Sequence, residues 1–444
     1  MPQAPNIRRS RDALDQSIDD RCRSTHRSVI KGQEMTAYFD SSHSHDQADF
    51  ACRYTSGTSN PGRGGSIISQ SRDQKEPRVA IVHYWLVGMR GGEKVVEALC
   101  QLYPQADIFT HVYVPGAMSP TIRAHRVTTS FIGSLPRAAR AYKSYLPLMP
   151  MALEQLDLRG YDLVISSESG PAKGVIPPAG ALHICYCHSP MRYVWNMFHD
   201  YRERSGPLTR WLMPPLSHYI RTWDAVSANR VHDFVANSRT VAQRLRSYYR
   251  RDATVIHPPV DTAAFAPVPP EELGDYHLMV GELVRYKRPE LAVEAFNRAG
   301  LKLIVIGGGE MLDELRALAG PTVQILGSQP FAALQHHYAR AKALIFPGEE
   351  DFGIVPLEAM ASGRPVVALG RGGATETVID GVTGTFFMEQ TVDALLEAVD
   401  RCSRLSFSPE IAVSHARQYG IDRFISEMRD FIAQSFEHHN QYIE

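Results

Sequence analysis

From Arg78 onward one pattern repeats and limits the fold more than any other feature. A short apolar run is followed by a glycine-bearing turn and then by apolar residues at helical spacing. "RVAIVHYWL" and "VGMRGGEKVVEALCQLYP" begin it, and "ADIFTHVY", "YDLVISSES", "LHICYCHS" and "DFVANS" continue it. After the proline-dense "TVIHPPVDTAAFAPVPPEELGDY" it resumes with "HLMVGEL", "KLIVIGGG", "VQILGS", "ALIFPGE" and "PVVALG", each separated by a helical stretch. Near-continuous apolar strands alternating with helices predict parallel sheets covered on both faces. Two such series joined by a linker predict an α/β chain of two Rossmann-like domains facing a deep cleft, with ligands at the strand C-termini.

Size and composition agree with this architecture. A chain of 444 residues exceeds one typical domain. A formal net charge of -1 gives no overall attraction to nucleic acid, so anion binding must be local. No apolar run approaches the roughly 18 residues of a membrane span, and the first residues lack the apolar core of a secretory signal. The 6 cysteines are scattered, and Cys185 and Cys187 sit in a strand with no second ligand pair at zinc spacing. A reducing, cytoplasmic setting is expected. Residues 1–77, with "SSHSHDQ" and "TSGTSNPGRGG", read as a disordered extension, and the internal Met35 is a candidate start. The expected domains are two Rossmann-like units, 78–256 and 257–420, and a C-terminal helix 421–444 packing back on the first.

The chemistry concentrates in "FPGEEDFGIVPLEAMASGRPVVALGRGGATE", which carries Glu350, Glu358 and Glu376. The ordinary reading is a solvated helix face followed by a glycine turn. Against it, Glu358 lies in the apolar run "IVPLEAMA", where an unpaired carboxylate is expensive. Carboxylates suit vicinal diols because they offer only acceptors, and a helix starting after Phe352-Gly353 presents its N–H groups to a phosphate. Gly91 and Gly92 in "MRGGEK" permit close backbone approach, though plain turn chemistry explains them equally well. His188 follows an apolar strand, where ligands collect. "GGGE" (Gly307–Glu310) lacks the full dinucleotide spacing.

Glu350, seven intervening residues and Glu358, followed by "MASGRPVVA" and "GGATE", resemble the E-x7-E signature of retaining family 4 glycosyltransferases of the GT-B fold. "GGEKV", "CHSPMRYVW", "FVANS", "PPVD" and "YKRPELAVEAF" are similar to the subgroup that builds bacterial polysaccharides, mannosyltransferases included. The resemblance covers most of 78–444, and implies that 78–256 takes the acceptor and 257–420 the nucleotide-sugar donor. It implies that Glu350 holds hydroxyls of the donor sugar, and that backbone at Phe352, Gly353 and Ile354 meets the sugar or diphosphate. It further implies that Glu358 binds the ribose, Lys287 neutralises the leaving diphosphate and His188 contacts the donor sugar. The family often has an Arg directly after the Gly of "VG-x-L", where this chain has Glu282; Arg285 or Arg288 is then expected to supply the missing charge, or Lys287 acts alone.

The resemblance also implies a nucleotide-sugar donor, with GDP-mannose favoured over UDP-sugars, and a saccharide or lipid-linked acceptor. No cofactor or metal is expected, since the sequence contains no Asp-x-Asp. A basic, aromatic helix carrying Arg137, Arg140 and Lys143 beside Tyr142, Tyr145, Leu146 and Met149 suggests either peripheral contact with an anionic membrane or a solvated basic face. Two other readings remain: a sugar-nucleotide epimerase of the same twin-Rossmann plan, or an inactive nucleotide-sugar-binding relative.

Overall fold

The computed structural model describes residues 76–443; the extension expected over 1–77 and Met35 therefore lie almost wholly outside the described residues. Thirteen strands are present among them: β1 Val79–His83, β2 Asp107–Thr110, β3 Val127–Thr129, β4 Leu163–Glu168, β5 Leu182–Cys187, β6 Asp233–Ala236, β7 Thr254–Val255, β8 His277–Val280, β9 Leu303–Ile306, β10 Val323–Gly327, β11 Leu344–Phe346, β12 Val366–Leu369 and β13 Gly384–Phe387. They form a seven-stranded sheet of order β3-β2-β1-β4-β5-β6-β7 and a six-stranded sheet of order β10-β9-β8-β11-β12-β13. Every pairing is parallel. Both sheets reverse direction of growth beside their first strand, between β1 and β4 and between β8 and β11. In doubly wound sheets that crevice at the carboxyl ends is where ligands bind.

Continuous apolar strands such as "VAIVH" and "LHICYC" are buried on both faces, as the absence of alternation predicts. The helix Gly91–Leu102 covers the first sheet with Val95, Val96 and Leu99. The helix Ile421–Ile443 returns to the same sheet and inserts Phe424, Met428 and Ile432 into its core, with the Phe424 ring edge-on to Tyr186 at 5.6 Å. The chain thus crosses between the sheets twice. The two crossings touch: Val260 N–H donates to Tyr419 O at 3.0 Å, and Arg423 Nη2 donates to His257 O at 2.9 Å. Val260 and Gly420 form an isolated parallel bridge there.

The segment Pro136–Leu153 is not one helix. It breaks into Ala138–Ala141, a 3-10 segment Tyr142–Leu148 containing Pro147, and Met149–Glu154. Tyr142 and Met149 are buried, while Arg137, Arg140 and Lys143 are exposed.

Burial holds five histidines neutral. His83 and His183 are pushed down to about 3, and His111, His188 and His277 to about 4, in each case chiefly because the charged ring would lose its hydration. A histidine lowered on folding stabilises fully above the unfolded value near 6.5, and that contribution is lost as pH falls. Burial acts oppositely on Glu93 and Glu358, both raised to about 7, so they favour the fold below that pH. The lowered histidines, with His232 and His337 shifted the same way, outnumber the raised carboxyls Glu93, Glu358 and Glu168, so near pH 5.5 the unfolded chain binds more protons and stability falls as pH falls. Urea midpoints at pH 7.0 and 5.5 are expected to differ sharply, with the lower value at 5.5. Equal midpoints would contradict neutral burial of these rings.

Candidate active site

Two loops of the second sheet meet at its switch point. The first follows β8 and contains the short 3-10 turn Arg285–Lys287; the second follows β11 and carries Glu349, Glu350 and Asp351. Their approach depends on glycine. A Cβ at Gly348 would lie 2.5 Å from Lys287 Cα, and one at Gly373 would lie 2.2 Å from Phe352 Cα. Gly372 adopts φ 64°, and the Gly373 N–H donates to Glu350 O at 2.8 Å. The "GGATE" turn therefore braces the acidic loop through backbone contacts that any side chain would displace.

Lys287 Nζ lies 2.7 Å from Glu350 Oε1, and both side chains are more than four-fifths buried. Burial works against the Lys287 charge, but the Glu350 carboxylate more than offsets it and holds the ammonium above its usual range. A cation fixed beside a sugar-binding carboxylate suits a leaving group that gains negative charge. Gly353, at φ 93°, caps the helix Ile354–Ala361. The Phe352 side chain is buried against His257 and Tyr419, so only its backbone is available to a ligand.

Glu358 is on that helix, partly exposed, and accepts a hydrogen bond from Tyr338 Oη at 2.8 Å. Burial raises it to about 7. Donor hydroxyls would favour its ionised form, since hydrogen bonds to a carboxylate stabilise the charge. Glu376 lies elsewhere: its carboxylate accepts the backbone N–H groups of Arg239 and Thr240 at 2.9 and 3.3 Å, at the start of the helix Arg239–Tyr249.

The first sheet supplies the opposite wall. His83 ends β1, Ser167 lies near the end of β4 and His188 follows β5. Ser167 Oγ lies 3.1 Å from His83 Nδ1 and 2.8 Å from His188 Nε2. A Cβ at Gly92 would come within 2.7 Å of Tyr84 Oη and 3.7 Å of His188 Nε2, and one at Gly91 within 3.1 Å of Ile354 Cδ1. Gly91 and Gly92 thus let the first helix approach both the histidine and the donor loop. Arg285 is paired with Glu314 at 2.7 Å and Arg288 with Glu290 at 2.5 Å, so each has its own partner outside the Lys287–Glu350 pair.

Three arrangements bring together residues that no local spacing links. Arg244 bonds to Asp351 and also donates to Ser189 Oγ at 3.1 Å; Arg192 approaches Asp351 at 3.5 Å and stacks over Tyr286 at 4.9 Å. These contacts join the two walls beside Glu350 and His188. Arg90 of the first wall faces Glu282 of the second at 3.7 Å. Beneath the first wall, fully buried Lys173 contacts Glu168 Oε1 at 2.9 Å and also Asp224. Partners 107 positions apart, such as Arg244 and Asp351, follow no local spacing rule.

Comparison with known proteins decides the family. The family described as "Glycosyltransferase Family 4" matches residues 89–264, and "Glycosyl transferases group 1" matches 263–419. The chain belongs to the family 4 glycosyltransferases. Its similarity to a D-inositol 3-phosphate glycosyltransferase of Mycobacterium leprae is 28% identity over 305 residues, covering 55% of this chain and 70% of the relative. A GDP-mannose-dependent alpha-(1-6)-phosphatidylinositol monomannoside mannosyltransferase of Mycolicibacterium smegmatis is 34% identical over 192 residues, or 36% of this chain and 50% of that one. Sucrose-phosphate synthase from Thermosynechococcus elongatus superposes with TM-score 0.61 at 18% identity, over 81% of this chain and 99% of the other. Anabaena HepE in complex with UDP gives 0.58 at 16% identity, over 80% and 100%. The fold of this glycosyltransferase is GT-B. Among the described residues, no group of three or more His, Cys, Asp or Glu is arranged to hold a metal ion, and no helix is long and apolar enough to cross a membrane.

Proposed function

We propose that this glycosyltransferase moves a hexose, mannose in our reading, from a nucleotide sugar to a saccharide or lipid-linked saccharide, with retention, in polysaccharide biosynthesis. The observation that carries this reading is the Lys287–Glu350 pair at the switch point of the second sheet. Glu358 on the adjoining helix supports a ribose contact. Mannose rests on the sequence motifs and on the printed donor of the Mycolicibacterium smegmatis relative.

In this scheme the acceptor hydroxyl attacks the face from which the diphosphate leaves, and a donor phosphate oxygen takes its proton. Lys287 stabilises the departing charge, Glu350 orients the sugar, and the neutral His188 ring offers a hydrogen bond to a sugar hydroxyl. Closure of the walls excludes water from the activated sugar. Transfer is proposed to need no metal ion. A lipid-linked acceptor would put the enzyme at the cytoplasmic face of a membrane, a placement supported by exposed Arg137, Arg140 and Lys143 beside exposed Leu148 and Met151.

A panel of GDP- and UDP-sugars, read by thermal shift and then by transfer to saccharide acceptors with and without chelator, tests the reading. Stabilisation by GDP-mannose, chelator-resistant transfer and a product of unchanged anomeric configuration are expected. An epimerised nucleotide sugar formed without acceptor would replace the transferase reading by an isomerase. Activity lost with chelator and restored by Mn²⁺ would overturn metal independence.

A further inference from the structure

One charge is unaccounted for at the proposed leaving-group site. Glu282 follows Gly281 at the end of β8, in the loop that leads to Lys287, and it adds to the field that keeps Lys287 protonated. A carboxylate there repels a diphosphate. Arg285 and Arg288 are taken by closer partners, Glu314 at 2.7 Å and Glu290 at 2.5 Å. An arginine does reach Glu282, from the other wall: Arg90 Nη1 lies 3.7 Å from its Oε2. The side chains are 59% and 45% exposed, so the pair adds little to stability and both groups are free to re-aim.

Arg90 also stands where a ligand can come close. It immediately precedes Gly91 and Gly92, which face Ile354 at the start of the helix Ile354–Ala361 and His188. Charges therefore alternate across the cleft in the order Arg90, Glu282, Lys287, Glu350. A diphosphate carries more charge than one carboxylate, and a guanidinium meets phosphate oxygens through two parallel hydrogen bonds.

We propose that Arg90, carried by the first sheet, is the second cation for the donor diphosphate, and that Glu282 holds it over the site until the diphosphate displaces the carboxylate. The inference rests on the donor reading above. It accounts for Glu282 without an inactive site, and it makes donor binding draw the two walls together.

Calorimetric titration with GDP and UDP, and with GMP and UMP, tests it on the wild type, R90A, E282R and R90A/E282R. For the nucleoside diphosphate that the wild type binds more tightly, R90A is expected to weaken binding at least tenfold, with monophosphate binding changed less than threefold. The double variant is expected to recover most of the loss, because E282R returns a cation to the same place from the second wall. Unchanged diphosphate affinity in R90A would overturn the proposal, as would equal losses for mono- and diphosphate. Wild-type protein that binds none of the four nucleotides would remove the donor reading itself, and the proposal with it.

Discussion

Lys287→Ala and Glu350→Gln are each expected to lower kcat at least a hundredfold while leaving the fold intact. Removing one preorganised group that meets developing charge typically costs 10²–10³ in rate. Lys287 and Glu350 form one pair at 2.7 Å, so their effects should not add: the double variant is expected to lose little more than the worse single one. Both side chains sit on loops fixed by backbone packing at Gly348 and Gly373 rather than by the pair itself, and at 17% and 19% exposure the partner left behind still meets water in the cleft, so circular dichroism should change little and thermal unfolding only modestly. Near-normal turnover in either variant would take that residue out of the site. Loss of activity together with loss of fold would move the pair from chemistry to structure.

Lys173→Met should show the reverse behaviour, a large loss of stability. Lys173 is fully buried between Glu168 and Asp224, with Nζ 4.6 Å from the Tyr249 ring centroid. Burial opposes its charge, and the two carboxylates more than offset that, holding the ammonium above its usual range. The carboxylates have further partners: Glu168 Oε2 accepts the Lys173 N–H at 2.6 Å, while Asp224 Oδ2 accepts Trp195 Nε1 and Tyr249 Oη, each at 2.7 Å. Deleting the cation strands two carboxylates in the interior, at a cost of about 3–5 kcal/mol and a drop in Tm on the order of 10 °C. Neutralising them as well, in Lys173→Met with Glu168→Gln and Asp224→Asn, should recover much of the loss. A single variant as stable as the wild type would contradict a charged triad. Because His188 N–H donates to Glu168 O at 2.7 Å, residual activity in the single variant also measures how far this network positions the histidine.

The sequence made the sheets legible because their central strands are apolar on both faces, and in the second sheet β8, β9, β10 and β12 end on glycine or run directly into it. It did not reveal β3, β7 or β13. β3 and β7 are edge strands of 3 and 2 residues with little burial, and β13, though mostly buried, is a four-residue GTFF run that opens on glycine. Lys287 and Glu350 were legible because each sits in a motif whose residues are neighbours in the chain. The Arg244–Asp351 and Arg90–Glu282 contacts were not, because closing a cleft brings together residues with no periodic relation. Glu376 shows the converse. Its place beside a glycine turn suggested a ligand, yet its carboxylate caps a helix of the other wall. Lys173 in "GPAKGV" looks like a solvated turn lysine, and only the return of Asp224 from a helix 51 positions later makes it interior.

The bonding of Val260 to Tyr419 and of Arg423 to His257 fastens the outgoing and returning chain into a single narrow seam. Two independent tethers would let the donor half twist and slide, but a stitched pair leaves one easy degree of freedom, a swing about the seam. Every sugar the enzyme accepts must then be presented along the same arc, and lengthening either connector would degrade aim before it degraded affinity.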